Sequence, residues 1–349
     1  LTRIPATMRG NRGKPGRRGT MGQPASAVFP WSIVPEPGAG EKRTGYLRWR
    51  DDALRGWEWP YFAIRGSQPG RAVAILAALH GGEYPGVLGA LRLARMLQPE
   101  RVRGSLLILP VVNQPSFWAR SAFVTPPDGK NQNRVFPGNA LGTLTEVLAW
   151  RLMEEIVAPA DVVIDLHSGD VFESLASHTC RYDMGDAGID DLTTRMCAAF
   201  GLPFAITYPR PKVTGSLAGN AALAGKLSML IEVGGNGLAT DEDAQIIFQG
   251  LINTLRVVGT LGGMLPETTV RWLVDGQQLR APADALWRSA VRPGQPVAAG
   301  DVLGTLYDQL GEELARPVAE MAGIALYHLS ALAVREGDPL VYITPEVTR

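Results

Sequence analysis

Four short apolar runs punctuate the first two thirds of the chain, at 72–79, 105–112, 161–166 and 228–233, each bounded by glycine, proline or polar residues. Their length and continuity predict central strands covered on both faces. Between them the apolar spacing turns helical. One such segment, 87–97, follows Pro85, which suits a first helical turn, and another, 147–157, follows Thr143-Leu144-Thr145-Glu146, a capping-box signature. Alternating strand and helix predict an α/β sheet. A further helix over 241–261 starts beside Thr240 and stops at Gly262-Gly263, a C-terminal cap that also marks a boundary. Beyond it come short β-like runs at 268–274, 285–291, 302–306 and 340–343, separated by turns such as Arg292-Pro293-Gly294 and Ala299-Gly300-Asp301. The expected organisation is a disordered basic tail over 1–25, an α/β domain over 26–262 and a smaller C-terminal all-β domain over 263–349.

Composition narrows the class. A chain of 349 residues has room for about two domains. Lys plus Arg and Asp plus Glu both total 34, which leaves no charge excess to draw nucleic acid or an acidic membrane. Arg3, Arg9, Arg12, Lys14, Arg17 and Arg18 crowd the first twenty positions without an acidic residue, but no apolar segment of a secretory signal accompanies them. Cys180 and Cys197 are the only cysteines, which fits free thiols in a reducing, cytoplasmic setting. No apolar run approaches the roughly 18–20 residues of a membrane span. The stretch 293–304 is similar to the hammerhead hairpin of biotinyl and lipoyl domains, yet a carrier needs a modifiable lysine and the last lysine is Lys226.

The candidate chemistry lies at strand ends. His80-Gly81-Gly82-Glu83 closes the first strong run, and Asp165-Leu166-His167 closes the third. Open α/β sheets build their sites at such carboxyl-end edges. Two imidazoles and a carboxylate make a credible catalytic zinc set, which commonly has three protein ligands and one open position. Singly, each fits an ordinary hydrogen-bonded polar residue as well; the combination with Asn113, Arg120, Asn133-Arg134 and Glu232 is what points to a site. His178 and His328 read as ordinary histidines. Tyr307, Tyr327 and Tyr342 include a candidate substrate contact from the β domain.

At this point the sequence resembles the succinylglutamate desuccinylase and aspartoacylase family, a branch of the zinc carboxypeptidase clan. The matching segments, in the family's order, are His80-Gly81-Gly82-Glu83, Asn113 with Pro115, Arg120, 131–138, Asp165-Leu166-His167-Ser168-Gly169 and Ile231-Glu232-Val233-Gly234-Gly235. The resemblance implies a carboxypeptidase-like mixed sheet flanked by helices. It implies one Zn2+ per chain on His80, Glu83 and His167, with Glu232 as general base on the metal-bound water and Arg120 stabilising the oxyanion. It further implies that Asn133 and Arg134 clamp a substrate carboxylate, with Asn131 and Asp165 behind the histidine ligands. Two positions depart from the family pattern. Asn131 stands where many relatives carry an aspartate, and 216–220 lacks an arginine for a second substrate carboxylate, a charge that Arg181 or Arg210 could supply.

The expected function is a zinc-dependent amidohydrolase that deacylates an N-acyl amino acid or related small N-acyl amine. A metallocarboxypeptidase acting on short peptides and a non-catalytic metal- or small-molecule-binding relative are the alternatives. The expected partner is a small N-acyl substrate, without nucleic acid or membrane, and a homo-oligomer is compatible with this reading.

Overall fold

The computed structural model describes residues 29–210 and 215–347. The expected tail over 1–25 lies outside them. In chain order the strands of the first part are β1 (Glu41–Leu47), β2 (Trp59–Arg65), β3 (Gln68–Ala77), β4 (Arg103–Leu109), β5 (Val162–His167), β6 (Glu173–Leu175), β7 (His178–Asp183), β8 (Phe204–Pro209) and β9 (Leu227–Glu232). The helices are α1 (Tyr84–Met96), α2 (Gln114–Ala119), α3 (Leu144–Arg151), α4 (Ala187–Phe200), α5 (Leu217–Leu223) and α6 (Asp241–Val257). There follow β10 (Arg271–Val274), β11 (Gln277–Arg280), β12 (Ala285–Ser289), β13 (Gln295–Val297), β14 (Gly304–Tyr307), β15 (Glu313–Ala315), β16 (Gly323–Leu329), β17 (Ala333–Val334), β18 (Pro339–Thr344) and β19 (Glu346–Val347).

A ten-stranded mixed sheet in the order β1-β2-β4-β3-β5-β9-β7-β8-β10-β19 forms the frame. Its centre, β4-β3-β5-β9, is parallel and consists of the four apolar runs. They are largely apolar because both faces are covered. Along β3, Val73, Ile75 and Ala77 meet Leu93, Phe200 and Leu251 from α1, α4 and α6, while Ala72, Ala74 and Leu76 pack with Trp31, Trp59, Leu148 and Leu217 on the other face. Helix α1 begins with Pro85 in its first turn. At α3, the Glu146 carboxylate accepts from the Thr143 N–H at 2.9 Å as the capping box requires. The helical segment to residue 157 then widens into a π-turn, where Ala158 N–H reaches Met153 O at 2.9 Å. Among the described residues no helix is long and apolar enough to cross a membrane.

The C-terminal strands form two small antiparallel sheets around Trp287, Leu303, Leu306 and Leu340. The chain does not divide cleanly at 262, however. Strand β10 pairs in parallel with β8 and β19 pairs with β10, so both complete the large sheet. In the other direction β6, from the loop after β5, pairs with β16. This exchange straps the C-terminal sheets to a loop of the site described next.

Candidate metal centre and its cavity

After β3 the chain turns through Ala78 at φ 54° and presents His80. The two glycines that follow are required by close approach. A Cβ on Gly81 would stand 2.1 Å from the Ser116 carbonyl oxygen, and one on Gly82 2.1 Å from Asp170 Oδ1. Glu83 then occupies the N-terminal cap of α1, where a carboxylate is favoured by the helix dipole. From the neighbouring strand end, β5 delivers His167.

The three side chains converge. Glu83 Oε1 lies 2.7 Å from His80 Nδ1 and Glu83 Oε2 lies 2.8 Å from His167 Nδ1. One ligand atom from each lies within 4.8 Å of the others, and all three residues are buried. The outer nitrogens have polar neighbours too: His80 Nε2 is 3.0 Å from Asn131 Oδ1, and His167 Nε2 has the Asp165 carboxylate 3.1 Å away as a charge neighbour, outside hydrogen-bond geometry. Imidazoles that face a common point through one nitrogen and are oriented through the other are what a metal site needs. A divalent cation therefore fits this donor set.

The charges agree with that fit. Burial opposes ionisation of Glu83, but His80, His167 and their hydrogen bonds outweigh it and draw the carboxyl down to about 2. Burial likewise disfavours charge on His167, and Asp165 and Glu83 overcome it to raise that imidazole. The same balance, led by Glu83, raises His80. A cation at this cluster would compete with protons for the two imidazoles.

The triad opens into a cavity of about 460 Å³ that also reaches Phe123, Asn131, Asn133, Arg134, Glu173, His178, Cys180, Tyr182, Tyr208, Ser216, Leu230, Glu232 and Asp275. Glu232, at the end of β9, pairs in register with His167 on one side and His178 on the other. Its Oε2 is buried with no hydrogen-bond partner. Burial, with Glu83, Glu173 and Asp165 adding to it against His167, pushes this carboxyl well above the usual range. Arg134 reaches the cavity from an exposed position, its Nη1 donating to Asn133 O at 2.8 Å. Asn133 is buried, with Oδ1 accepting from Leu217 N–H at 2.8 Å and Nδ2 3.4 Å from His167 Nε2, so its amide braces the site.

Other expected residues fall elsewhere. Arg120 is exposed at the end of α2 and does not line the cavity. Arg181, offered as a second carboxylate-binding charge, does not serve as one. Alternation along β7 turns it away from His178, Cys180 and Tyr182, and its guanidinium is tied to Asp190 at 2.7 Å. Arg210 is exposed beyond β8 and also outside the cavity wall. Asn113 caps α2, accepting from Ser116 N–H at 3.2 Å and donating to Leu79 O at 3.1 Å. Tyr327 donates to Pro339 O at 3.0 Å, and neither Tyr307 nor Tyr342 lines the cavity.

Sequence reasoning missed Glu173, Tyr182, Tyr208 and Asp275 and set His178 aside. The i, i+2 spacing of His178, Cys180 and Tyr182 carries a strand signal that would have placed all three on one face. Glu173 rides on the strapped loop, accepts from Asp170 N–H at 3.0 Å, and is raised by burial to about 7. His178 is also buried, with Nδ1 donating to Ala176 O at 2.8 Å, and burial lowers it to about 4. Because the unfolded chain protonates this imidazole near its ordinary value, stability should fall by about 3 kcal/mol as pH drops from roughly 6.5 to 4. Urea unfolding across that range should show a weaker pH dependence for His178→Gln than for wild type; identical slopes would remove His178 as the cause.

Comparison with known proteins gives the family. Residues 69–258 match the model described as the succinylglutamate desuccinylase/aspartoacylase catalytic domain. The N-alpha-acetyl-L-2,4-diaminobutyric acid deacetylase of Halomonas elongata is 30% identical over 290 residues, 80% of this chain and 83% of that protein. Among solved structures, a succinylglutamate desuccinylase from Silicibacter sp. TM1040 superposes with a TM-score of 0.81 at 27% identity, over 90% of this chain and 97% of that one. The product-bound ectoine utilization protein EutE (DoeB) from Ruegeria pomeroyi does so with a TM-score of 0.80 at 26% identity, over 91% and 99% of the two chains.

Proposed function

The chain belongs to the succinylglutamate desuccinylase/aspartoacylase family, and from that premise we propose that it is a zinc-dependent deacylase that hydrolyses the amide of an N-acyl amino acid. One observation carries the reading: the His80–Glu83–His167 cluster, the unpartnered Glu232 Oε2 and the Arg134 guanidinium meet in a single small cavity. The Halomonas elongata relative, a deacetylase of an N-acetylated amino acid by its name, supports the same reaction class.

His80, Glu83 and His167 would hold the zinc ion. Zinc supplies Lewis acidity and lowers the pKa of water toward about 7. Glu232 takes the proton of the attacking water on its carboxylate and returns it to the departing amine nitrogen, so that amide and water become carboxylate and amine. Arg134 binds the substrate carboxylate through its planar fork. Asn131 holds the His80 imidazole in place, and the Asp165 carboxylate lies beside that of His167. Arg120, outside the cavity wall in this conformation, is the weakest match to its expected oxyanion role.

The test is primary-amine release from N-acetyl and N-succinyl amino acids, N-acetyl-2,4-diaminobutyrate and short peptides, using zinc-loaded protein with and without chelator. Chelator-sensitive release from the small N-acyl compounds is expected. Release from peptides only would replace the proposal with a carboxypeptidase, and no release from any compound would leave a binding protein.

A further inference from the structure

We propose that His178 is a catalytic residue of this cavity, accepting a hydrogen bond from the N–H of the scissile amide so that the nitrogen turns its lone pair toward Glu232. The inference rests on the deacylase reading for the reaction and on the sheet register for the placement.

One edge of the large sheet brings three side chains into a row. His167 pairs with Glu232 across β5 and β9, and Glu232 pairs with His178 across β9 and β7. Residues directly opposite each other in neighbouring strands put their side chains on the same face, with backbones roughly 5 Å apart. Glu232 therefore stands between an imidazole of the triad and a second imidazole, and all three line the cavity. The β7 face continues from His178 through Cys180 to Tyr182, on which the charge of Arg134 acts. A substrate whose carboxylate meets Arg134 thus lays its amine half over β7, with the amide at the triad and its nitrogen beside Glu232 and His178.

The tautomer of His178 is fixed by its surroundings. Nδ1 lies 2.8 Å from Ala176 O, an oxygen that can only accept, so Nδ1 carries the hydrogen and Nε2 a bare lone pair. Nε2 has no partner among the described residues and is not sealed off from the cavity. Burial, which lowers this imidazole to about 4, keeps it in the acceptor form at neutral pH. Once water has added to the carbonyl carbon, the amide nitrogen carries one hydrogen and one lone pair, which point in different directions. With the hydrogen held by His178 Nε2, the lone pair is left for the proton that Glu232 returns. The C–N bond then breaks with its electron pair staying on nitrogen, and the amine departs with its original hydrogen and the one from Glu232. His178 gains and loses no proton.

Acetate release by the zinc-loaded protein tests the proposal on matched pairs: N-acetylalanine, N-acetyl-2-aminobutyrate and N-acetylglutamate against the O-acetyl 2-hydroxy acids of the same carbon skeletons. The esters place an oxygen without hydrogen where the amides have N–H. His178→Asn keeps a donor near the position of Nδ1, and with it the Ala176 contact, but does not reach as far as Nε2. It should lower kcat/KM for the amides by about 10–100-fold, the worth of a donor left unpaired in a buried site, and leave the esters within about twofold. His178→Gln, whose amide oxygen reaches the position of Nε2, should restore most of the amide rate. If His178→Asn fails to fold, His178→Phe, which fills the same space without an acceptor, should show the same loss confined to amides. Equal losses on amide and ester, or an amide rate unmoved by removing Nε2, would overturn the proposal and leave the deacylase reading standing. No acetate from any compound with wild type would overturn the deacylase reading, and the proposal with it.

Discussion

Glu232→Gln is expected to lower kcat for N-acyl amino acids by about 10²–10⁴-fold, the usual worth of a positioned general base, while the zinc content of the protein stays unchanged. Glutamine matches glutamate in size and still offers an oxygen acceptor, so the β9 register with His167 and His178 has no reason to shift. What it lacks is the ability to receive a proton. The burial that raises the Glu232 carboxyl makes it a stronger base than an exposed glutamate. A cation on the neighbouring triad works in the opposite sense and favours the ionised form. The proton therefore leaves with rising pH, so wild-type kcat should climb as Glu232 ionises, and the residual rate of the variant should lack that limb. Steady-state kinetics with metal analysis on the same samples decide the matter. Activity close to wild type in a metal-replete Glu232→Gln protein would remove this residue from the proton-transfer role.

Much of this arrangement is legible in the sequence. The four central strands stand out because a segment buried on both faces is apolar at successive positions, as β3 is from Ala72 to Ala77. The ligand cluster follows from two strand ends and one glycine pair. Only glycine passes between Ser116 and Asp170, so His80-Gly81-Gly82-Glu83 carries its geometry in its sequence. Strand β7 is harder to read, since it buries Arg181 on one face and alternates small, polar and aromatic residues on the other. Its buried arginine is satisfied by Asp190, a contact that no local pattern reveals. Helix α4 escapes the sequence reading although Asp186 caps it by accepting from Gly188 N–H at 3.0 Å and Gly201 ends it at φ 93°. The place of Asp275 depends on β10 crossing back to the large sheet, a long-range pairing beyond the point where the chain's pattern turns to short β runs. This cavity residue is thus less visible than those that fit a metal.

Removing a ligand should have an effect as large as removing the base, with a different signature. His167→Ala is expected to lose bound zinc altogether, and with it the zinc-dependent rise in Tm that wild type should show. At free zinc about 1,000 times its dissociation constant, binding adds about 4 kcal/mol to stability, a shift of several degrees for a chain of this size. Chelator should therefore lower the wild-type Tm and leave that of His167→Ala unmoved. The outer partners should act by degree: Asn131→Ala is expected to weaken zinc about 10–100-fold, since His80 Nε2 then loses the oxygen that orients it. Asn131→Asp should bind zinc more tightly than wild type, because a carboxylate at that nitrogen makes the ring a better donor. Protons compete for the same sites. His80 and His167 are both raised, chiefly by Glu83 and Asp165 acting against burial, so each must shed a proton to ligate, and zinc should leave as pH falls. Glu83, drawn down to about 2, remains ionised through that range, so the pH dependence belongs to the imidazoles. Stoichiometric zinc in His167→Ala would mean that the cation is held elsewhere, whereas zinc lost together with the chelator response identifies the convergent triad as its seat.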